Sequence, residues 1–268
     1  MRRPAIGNLW LTPFAILVVL FLLAPVFVVI PMSFSDSNYL QFPPQVWSLR
    51  WYHSYFDAAE WMAATRTSLL AASCTVLLAT PIGFLSAFAI RNMRGKAAAV
   101  LFGFLLLPQV VPVILLAIGV FFIYIRLRIV DSFLGIVLAH TALAVPFVVT
   151  TVSAGLKRFD FSLDQAARSL GASRFRAIFD VMLPQIRLSL FAGAIFAFVT
   201  SLDEVVVSLF IAGGDNTVLT RKMFLALRDQ VDPTIAAIST LLIVVSVIAV
   251  GVFMLAVQRD NRRREENI

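Results

Sequence analysis

Long uncharged, apolar runs separated by short charged clusters organise this chain. No charged residue occurs from Pro4 to Ser35, Thr67 to Ile90, Ala97 to Ile125 or Ser132 to Leu156. A fifth run, Leu188 to Gly214, holds one acidic pair, Asp203 and Glu204; a sixth, Pro233 to Gln258, holds no charge. Each is long enough to cross the hydrocarbon core as a helix, which takes about 20 residues. Backbone groups in lipid must pair internally, so spans are helices or strands of a closed barrel. Barrel strands would be shorter and would alternate apolar with polar residues. The pattern therefore predicts an all-α, polytopic membrane protein with six transmembrane helices.

Composition agrees. Of 268 residues 60% are hydrophobic and 14% charged, and the mean hydropathy is +0.92. Soluble domains run near 45–50% apolar and about 25% charged, so this chain has too little polar surface for water. The single Cys74 cannot form an internal disulfide and reads as core filler. Arg2 and Arg3 precede the first run, but it is too long for a signal-peptide core and no small-residue cleavage pattern follows it.

The net charge of +7 acquires meaning once located. With a cytoplasmic N-terminus, the inside segments carry 15 of the 22 basic residues and the outside segments 7. That bias follows the positive-inside rule with both termini cytoplasmic. The basicity thus reports topology, and no nucleic-acid partner is assigned to it.

Two connections stand out. The outside segment Ser33–Met62 is rich in aromatic residues (Trp47, Trp51, Tyr52, Tyr55, Trp61), which suits an interfacial anchor or a docking surface for an extracytoplasmic partner. The inside segment Gly155–Arg187 is far longer than two antiparallel helices need. Ser162-Leu163-Asp164-Gln165 reads as a capping box opening a short helix, which should break near Gly171. Ser173 can cap a second helix bearing Phe175, Ile178, Phe179 and Met182, which Pro184 ends or turns into the fifth span.

Within that segment, Gln165-Ala166-Ala167, three residues, Gly171, nine residues, then Val181-Met182-Leu183-Pro184 resembles the signature loop Glu-Ala-Ala-x3-Gly-x9-Ile-x-Leu-Pro of ABC importer permeases. Gln165 stands where the family carries Glu, and Val181 where it carries Ile. Met32-Ser33-Phe34-Ser35, Phe42-Pro43-Pro44, Ser48-Leu49-Arg50-Trp51-Tyr52, Thr67-Ser68-Leu69, Leu107-Pro108, Val111-Pro112 and Ser201-Leu202-Asp203-Glu204-Val205-Val206 are similar to the spermidine/putrescine permease family. The resemblance covers about residues 31 to 257. It implies a type I ABC importer permease fold in the bacterial inner membrane. It also implies a second permease subunit, two ATPase subunits that hold the ATP and Mg, and a periplasmic solute-binding protein. It divides the chain into a first helix and periplasmic segment (1–62), a transmembrane domain (63–257, coupling loop 155–187) and a cytoplasmic basic tail (258–268). Gln165, Ala166, Ala167, Gly171, Val181, Leu183 and Pro184 would form the ATPase-coupling loop.

No cofactor or enzymatic chemistry is read on this chain. It has no G-x-x-x-x-G-K-[ST] phosphate loop; Gly95-Lys96 lacks both the upstream Gly and the following hydroxyl. His53 and His140 are isolated from each other and from Cys74, so no metal is expected, and His140 inside the fourth run reads as a packed neutral imidazole. Asp203 and Glu204 are costly in a span and should face a cavity or a partner. Ser201, Glu204 and Ser208 fall at helical spacing, giving a polar stripe that either attracts a cationic solute or forms a structural ion pair. Pro108 and Pro112 should kink the third span and free carbonyls. The solutes left open beside polyamines are an opine, an amino-acid derivative, ferric ion or an oxyanion. A stand-alone secondary transporter or channel is the remaining class, disfavoured by the signature loop.

Overall fold

The computed structural model describes residues 10–229 and 231–265, with side chains to Arg259. Arg2, Arg3 and the start of the first apolar run lie outside the described residues. Contacts divide the chain into two units: one ends at Ala59 and includes Leu225–Val245, the other is Glu60–Phe224 with the stretch from Ser246 onward.

Among the described residues, five helices are long and apolar enough to cross a membrane: Leu11–Met32 (α1), Ala59–Asn92 (α3), Phe133–Arg158 (α6), Arg174–Asp203 and the early part of Thr234–Glu265 (α12). The third apolar run is different. It forms Lys96–Val110 (α4) and Val113–Leu127 (α5), bent by 100° between them, which makes a sixth span if the pair is one crossing. The expected kink is therefore a complete break at Val111–Pro112. Pro108 lies inside α4, while Pro112 sits at the start of α5 with an extended ψ of 125°. A proline at the N-cap loses no helical hydrogen bond, so Pro112 favours a fresh start over a bend.

In the first unit, α1 buries none of its residues within the chain. The aromatic segment after it folds on itself. Phe34 packs against Tyr52 at 5.3 Å and Trp47 at 6.2 Å, and Ser33 Oγ shares a 2.7 Å hydrogen bond with Tyr52 Oη. Ser35 and Trp47 form a short antiparallel bridge, and Trp51 Nε1 donates to the Ser37 carbonyl at 3.1 Å. The helix Arg50–Asp57 (α2) buries Tyr55.

In the second unit, α6 is the central post. It buries fourteen residues, among them Val145, Val148, Val149, Val152 and Leu156. Its neighbours meet it with small residues, as lipid-embedded helices must when close backbone approach replaces a hydrophobic drive. Buried Ala64, Ser68, Ala71, Ala72, Thr75, Ala79, Gly83 and Ala87 recur every three or four positions along α3. Gly83 on α3 and Gly193 on the fifth span both lie against Val148, and Gly155 lies against Ser189. The helix Leu219–Asp229 (α11) is tied to α3: Leu219 N donates to Ser68 Oγ at 2.8 Å, and Lys222 Nζ lies 2.6 Å from Glu60 Oε2 and 5.1 Å from the Trp61 ring centre.

Candidate functional site

The segment between α6 and the fifth span is a compact hairpin, and every end in it is capped. α6 stops at Arg158, and Phe159 is extended. Asp160, not Ser162, is then the N-cap of Phe161–Ser169 (α7), its Oδ1 accepting the Ser162 N–H at 2.9 Å. That bond favours the ionised carboxylate and holds Asp160 below the usual range. The capping box expected at Ser162 is thus absent: the N-cap lies two residues earlier, and Leu163 at N3 cannot reciprocate. Ser162 falls within the first turn, and the carboxylate before it reaches the orphan N–H groups first. Asp164 lies 3.8 Å from Arg168.

At the other end of α7, Gly171 has φ +92°. Its N–H donates to the Arg168 carbonyl and the Ala172 N–H to the Ala167 carbonyl, both at 3.0 Å. This pair of bonds is a Schellman closure, which requires the left-handed conformation glycine adopts without strain. Ser173 Oγ accepts the Arg176 N–H at 3.3 Å and opens Arg174–Arg176 (α8), as its spacing predicts. The next six residues, Ala177–Met182, form a π-helical stretch that runs without interruption into Leu183–Asp203 (α9). Pro184 therefore neither ends the helix nor turns it. A proline lacks the N–H for the carbonyl four residues back and collides with it; the widened turn just before Pro184 relieves that clash. Val181 and Leu183 are half-buried on the same continuous helix.

The hairpin is held to α3 by two cation–π contacts in opposite directions. Arg91 lies 4.6 Å from the Phe161 ring centre, and Arg174 lies 5.6 Å from that of Phe88. Gln165, Ala166 and Gly171 are exposed, Ala167 half-buried, and Leu170 and Phe175 stand 90% and 75% exposed. An apolar residue so exposed beside a glycine bend makes a protruding contact surface.

The acidic pair lies at a second helix break. α9 ends at Asp203, Glu204 is extended, and Val206–Ile211 (α10) begins after Val205. The continuous polar stripe expected from Ser201, Glu204 and Ser208 is consequently interrupted. Glu204 turns back on the backbone, its Oε1 accepting the Val207 N–H at 2.6 Å, and its carbonyl accepts the Thr220 hydroxyl at 2.8 Å. Asp203 is exposed. Ser201 and Ser208 still converge, on a residue no local spacing links to them: His140 Nδ1 is 2.8 Å from Ser201 Oγ, and Nε2 is 3.1 Å from Ser208 Oγ. His140 is 1% exposed, which agrees with its reading as a packed, hydrogen-bonded imidazole. Pro108 and Pro112 lie in and beside the other break; no hydrogen bond links them to the acidic pair among the described residues.

A cavity of about 510 Å³ opens among α6, α9 and the later part of α12, lined by Thr151, Arg158, Gln185, Ser189 and Phe253 among others. Its described lining contains no carboxylate, so it offers a cation no countercharge. The described residues hold no cluster of three metal-ligating side chains.

Comparison with known proteins gives a consistent outcome. The profile of the family described as "Binding-protein-dependent transport system inner membrane component" matches residues 79–265. The spermidine/putrescine transport system permease protein PotC of Escherichia coli strain K12 is 31% identical over 245 residues, 91% of this chain and 92% of the relative. The putrescine transport system permease protein PotI of the same strain is 28% identical over 247 residues, 90% of this chain and 88% of the relative. A crystallised bacterial alginate ABC transporter, in complex with its alginate pentasaccharide-bound periplasmic protein, contains a chain of like fold, with TM-score 0.69 and 15% identity over 94% of this chain and 93% of that one.

Proposed function

Because the chain belongs to the family of binding-protein-dependent transport system inner membrane components, we propose that it is one membrane-spanning subunit of an ATP-driven importer of polyamines. It is a multi-pass protein of the inner membrane. In this reading both termini are cytoplasmic and the hairpin 159–182 faces the cytoplasm, as the distribution of basic residues favours. A second permease subunit completes the pathway, two ATPase subunits carrying ATP and Mg²⁺ dock on the hairpins, and a periplasmic binding protein delivers the solute. The polyamine reading rests on the names of the curated relatives, which span about nine-tenths of the chain.

The observation that supports the coupling role is that the hairpin is capped at each bend and continuous with the fifth span. The hairpin's helix ends are capped by Asp160, Gly171 and Ser173, and Arg174–Asp203 is one helical rod of 30 residues, about 45 Å long. A displacement of α7 by the ATPases is delivered along that rod to the break at Glu204–Val205. Gln165 keeps polar capacity but carries no charge, so the contact with the ATPase relies on Leu170, Phe175 and the surrounding arginines. At the far end of the rod, Asp203 and Glu204 supply countercharge for a polycation, where a low dielectric strengthens every unit of charge.

The test is reconstitution of the four kinds of subunit in proteoliposomes with labelled spermidine. ATP-dependent uptake competed by unlabelled putrescine is expected. Uptake that persists without the ATPase would overturn the importer class. Uptake of an opine, ferric ion or an oxyanion with none of spermidine would overturn the substrate.

A further inference from the structure

His140 sits on α6, yet its two ring nitrogens reach two different helices. Nδ1 engages Ser201, on α9 before the break, and Nε2 engages Ser208, on α10 after it. All three side chains are at least 97% buried. A neutral imidazole has one N–H and one bare nitrogen, so one serine accepts from the ring and the other donates to it. The two arms also differ in their main supports, although Val207 and Ile211 of α10 share a buried cluster with Ala139 of α6 too. α9 packs along α6 around Val148 and Gly193, whereas Phe210 on α10 lies 6.3 Å from Phe121 on α5. The carboxyl of Glu204 and the hydroxyl of Thr220 tie up the break's own backbone groups, but neither spans both arms. His140 does.

We propose that His140 is a positioning residue for transport: it clasps the two arms of the broken fifth span and thereby sets where Asp203 and Glu204 stand. The proposal rests on the reading of that pair as part of the solute path. At the break Glu204 and Val205 lie outside both helices, so the direction of α10 is not fixed by a continuous helical ladder. Two hydrogen bonds to one rigid ring restrict it. Interhelical hydrogen bonds in membranes shift equilibria by about 3- to 15-fold each, enough to bias a hinge between two orientations without freezing it.

The experiment uses the assembled importer in nanodiscs and proteoliposomes, on a Cys74→Ser background. Spin labels at Phe196→Cys and Leu209→Cys report the distance between the arms, and labelled spermidine uptake reports KM and the maximal rate. His140→Phe removes both bonds and should broaden the distance distribution and raise KM about 10-fold or more, with ATPase subunits still bound in normal ratio. His140→Gln should narrow the distribution again. Ser201→Ala and Ser208→Ala each remove one bond and should give smaller effects; they replace His140→Phe if that variant does not assemble. A distance distribution unchanged by all of these variants would overturn the clasp. A broadened distribution with unchanged uptake would overturn the positioning role. If the unsubstituted importer moves no spermidine, the substrate reading fails by itself, and the label distances still judge the clasp.

Discussion

Gly83→Ala should destabilise the helix bundle, although in most helix interiors alanine is the better residue. A Cβ at position 83 would lie 2.5 Å from both Cβ and Cγ1 of Val148 and 3.4 Å from its backbone carbonyl carbon. Carbon atoms pack at about 3.5–4.0 Å, so roughly 1 Å must be found. Rotating the Val148 side chain cannot supply it, because Cβ is fixed to the α6 backbone. Moving α6 away meets α9, where a Cβ at Gly193 would stand only 3.3 Å from Val148 Cγ1. Overpacking of this kind costs about 1–3 kcal/mol, and its geometry places it high in that range. The gain of alanine over glycine in a helix returns about 0.5–1 kcal/mol. The net loss is then about 1–2 kcal/mol, or a roughly 5- to 30-fold smaller folded-to-unfolded ratio. Reversible unfolding in mixed micelles, followed by Trp fluorescence, measures it. Gly103→Ala in α4 is the control, since nothing lies within 4 Å of its Cβ position, and it should be neutral or stabilising. Gly83→Ala with Val148→Gly transfers the notch to the other helix and should recover part of the loss. If Gly83→Ala behaves like Gly103→Ala, the notch is not a tight contact and the packing account of α3 on α6 fails.

Gly171→Val should abolish spermidine uptake while the subunit still inserts and assembles: the site is sterically open but its φ is +92°, which costs a β-branched residue about 1–2 kcal/mol or more, and wild-type uptake would remove the hairpin from coupling. Asp160 is held below its ordinary pKa by the Ser162 N–H, so its stabilisation of α7 is present above the unfolded carboxylate value and is lost as pH falls through the lower folded one. Protection of the Ser162 to Asp164 amides, taken relative to the intrinsic exchange rate at each pH, should therefore fall only in acid, and Asp160→Asn should remove that pH dependence while keeping the cap; a protection factor that stays constant into acid in the native protein would contradict it. Asp203→Asn combined with Glu204→Gln should cut uptake of a polycation at unchanged binding-protein affinity, and the retained amide should still accept the Val207 N–H; loss of assembly would make the pair structural. Cysteines at Gln45 and Asp215 should react with impermeant reagents from outside, and those at Met93 and Leu170 only from inside; the reverse pattern would invert the topology.

Much of this molecule can be read from the spacing of charges alone. The ends of the second and fourth apolar runs, set by Arg66, Arg91, Asp131 and Lys157, lie within or near the ends of α3 and α6. Proline positions mark where the third run departs from a straight helix but not by how much, because a kink and a 100° break satisfy the same local chemistry. At the hairpin, Asp160 and Ser162 are both competent caps, and only the stop of α6 at Arg158 decides between them. The stripe at Ser201, Glu204 and Ser208 presupposes an unbroken helix. Val205 and Val206 give no sign of a break, and Glu204 creates its own alternative by capping α10. The contacts of His140 lie 61 and 68 residues away in sequence, beyond any periodicity.

The π-helical stretch at Ala177–Met182 acts as a protractor. Such a turn carries one residue more than an α-helical path would, so it rotates everything before it by about 100° about the axis of α9. The bearing of α7 is thus written in a residue count rather than in any side chain. Deleting one exposed residue there, such as Phe179, lets the stretch relax to ordinary α-helix. Every contact of α9 within the bundle would keep its register, while the hairpin swings to offer another edge to whatever docks on it. Because the hairpin also closes onto α6 at Phe159 and touches Phe88 and Arg91 of α3, such a swing would have to re-form those contacts.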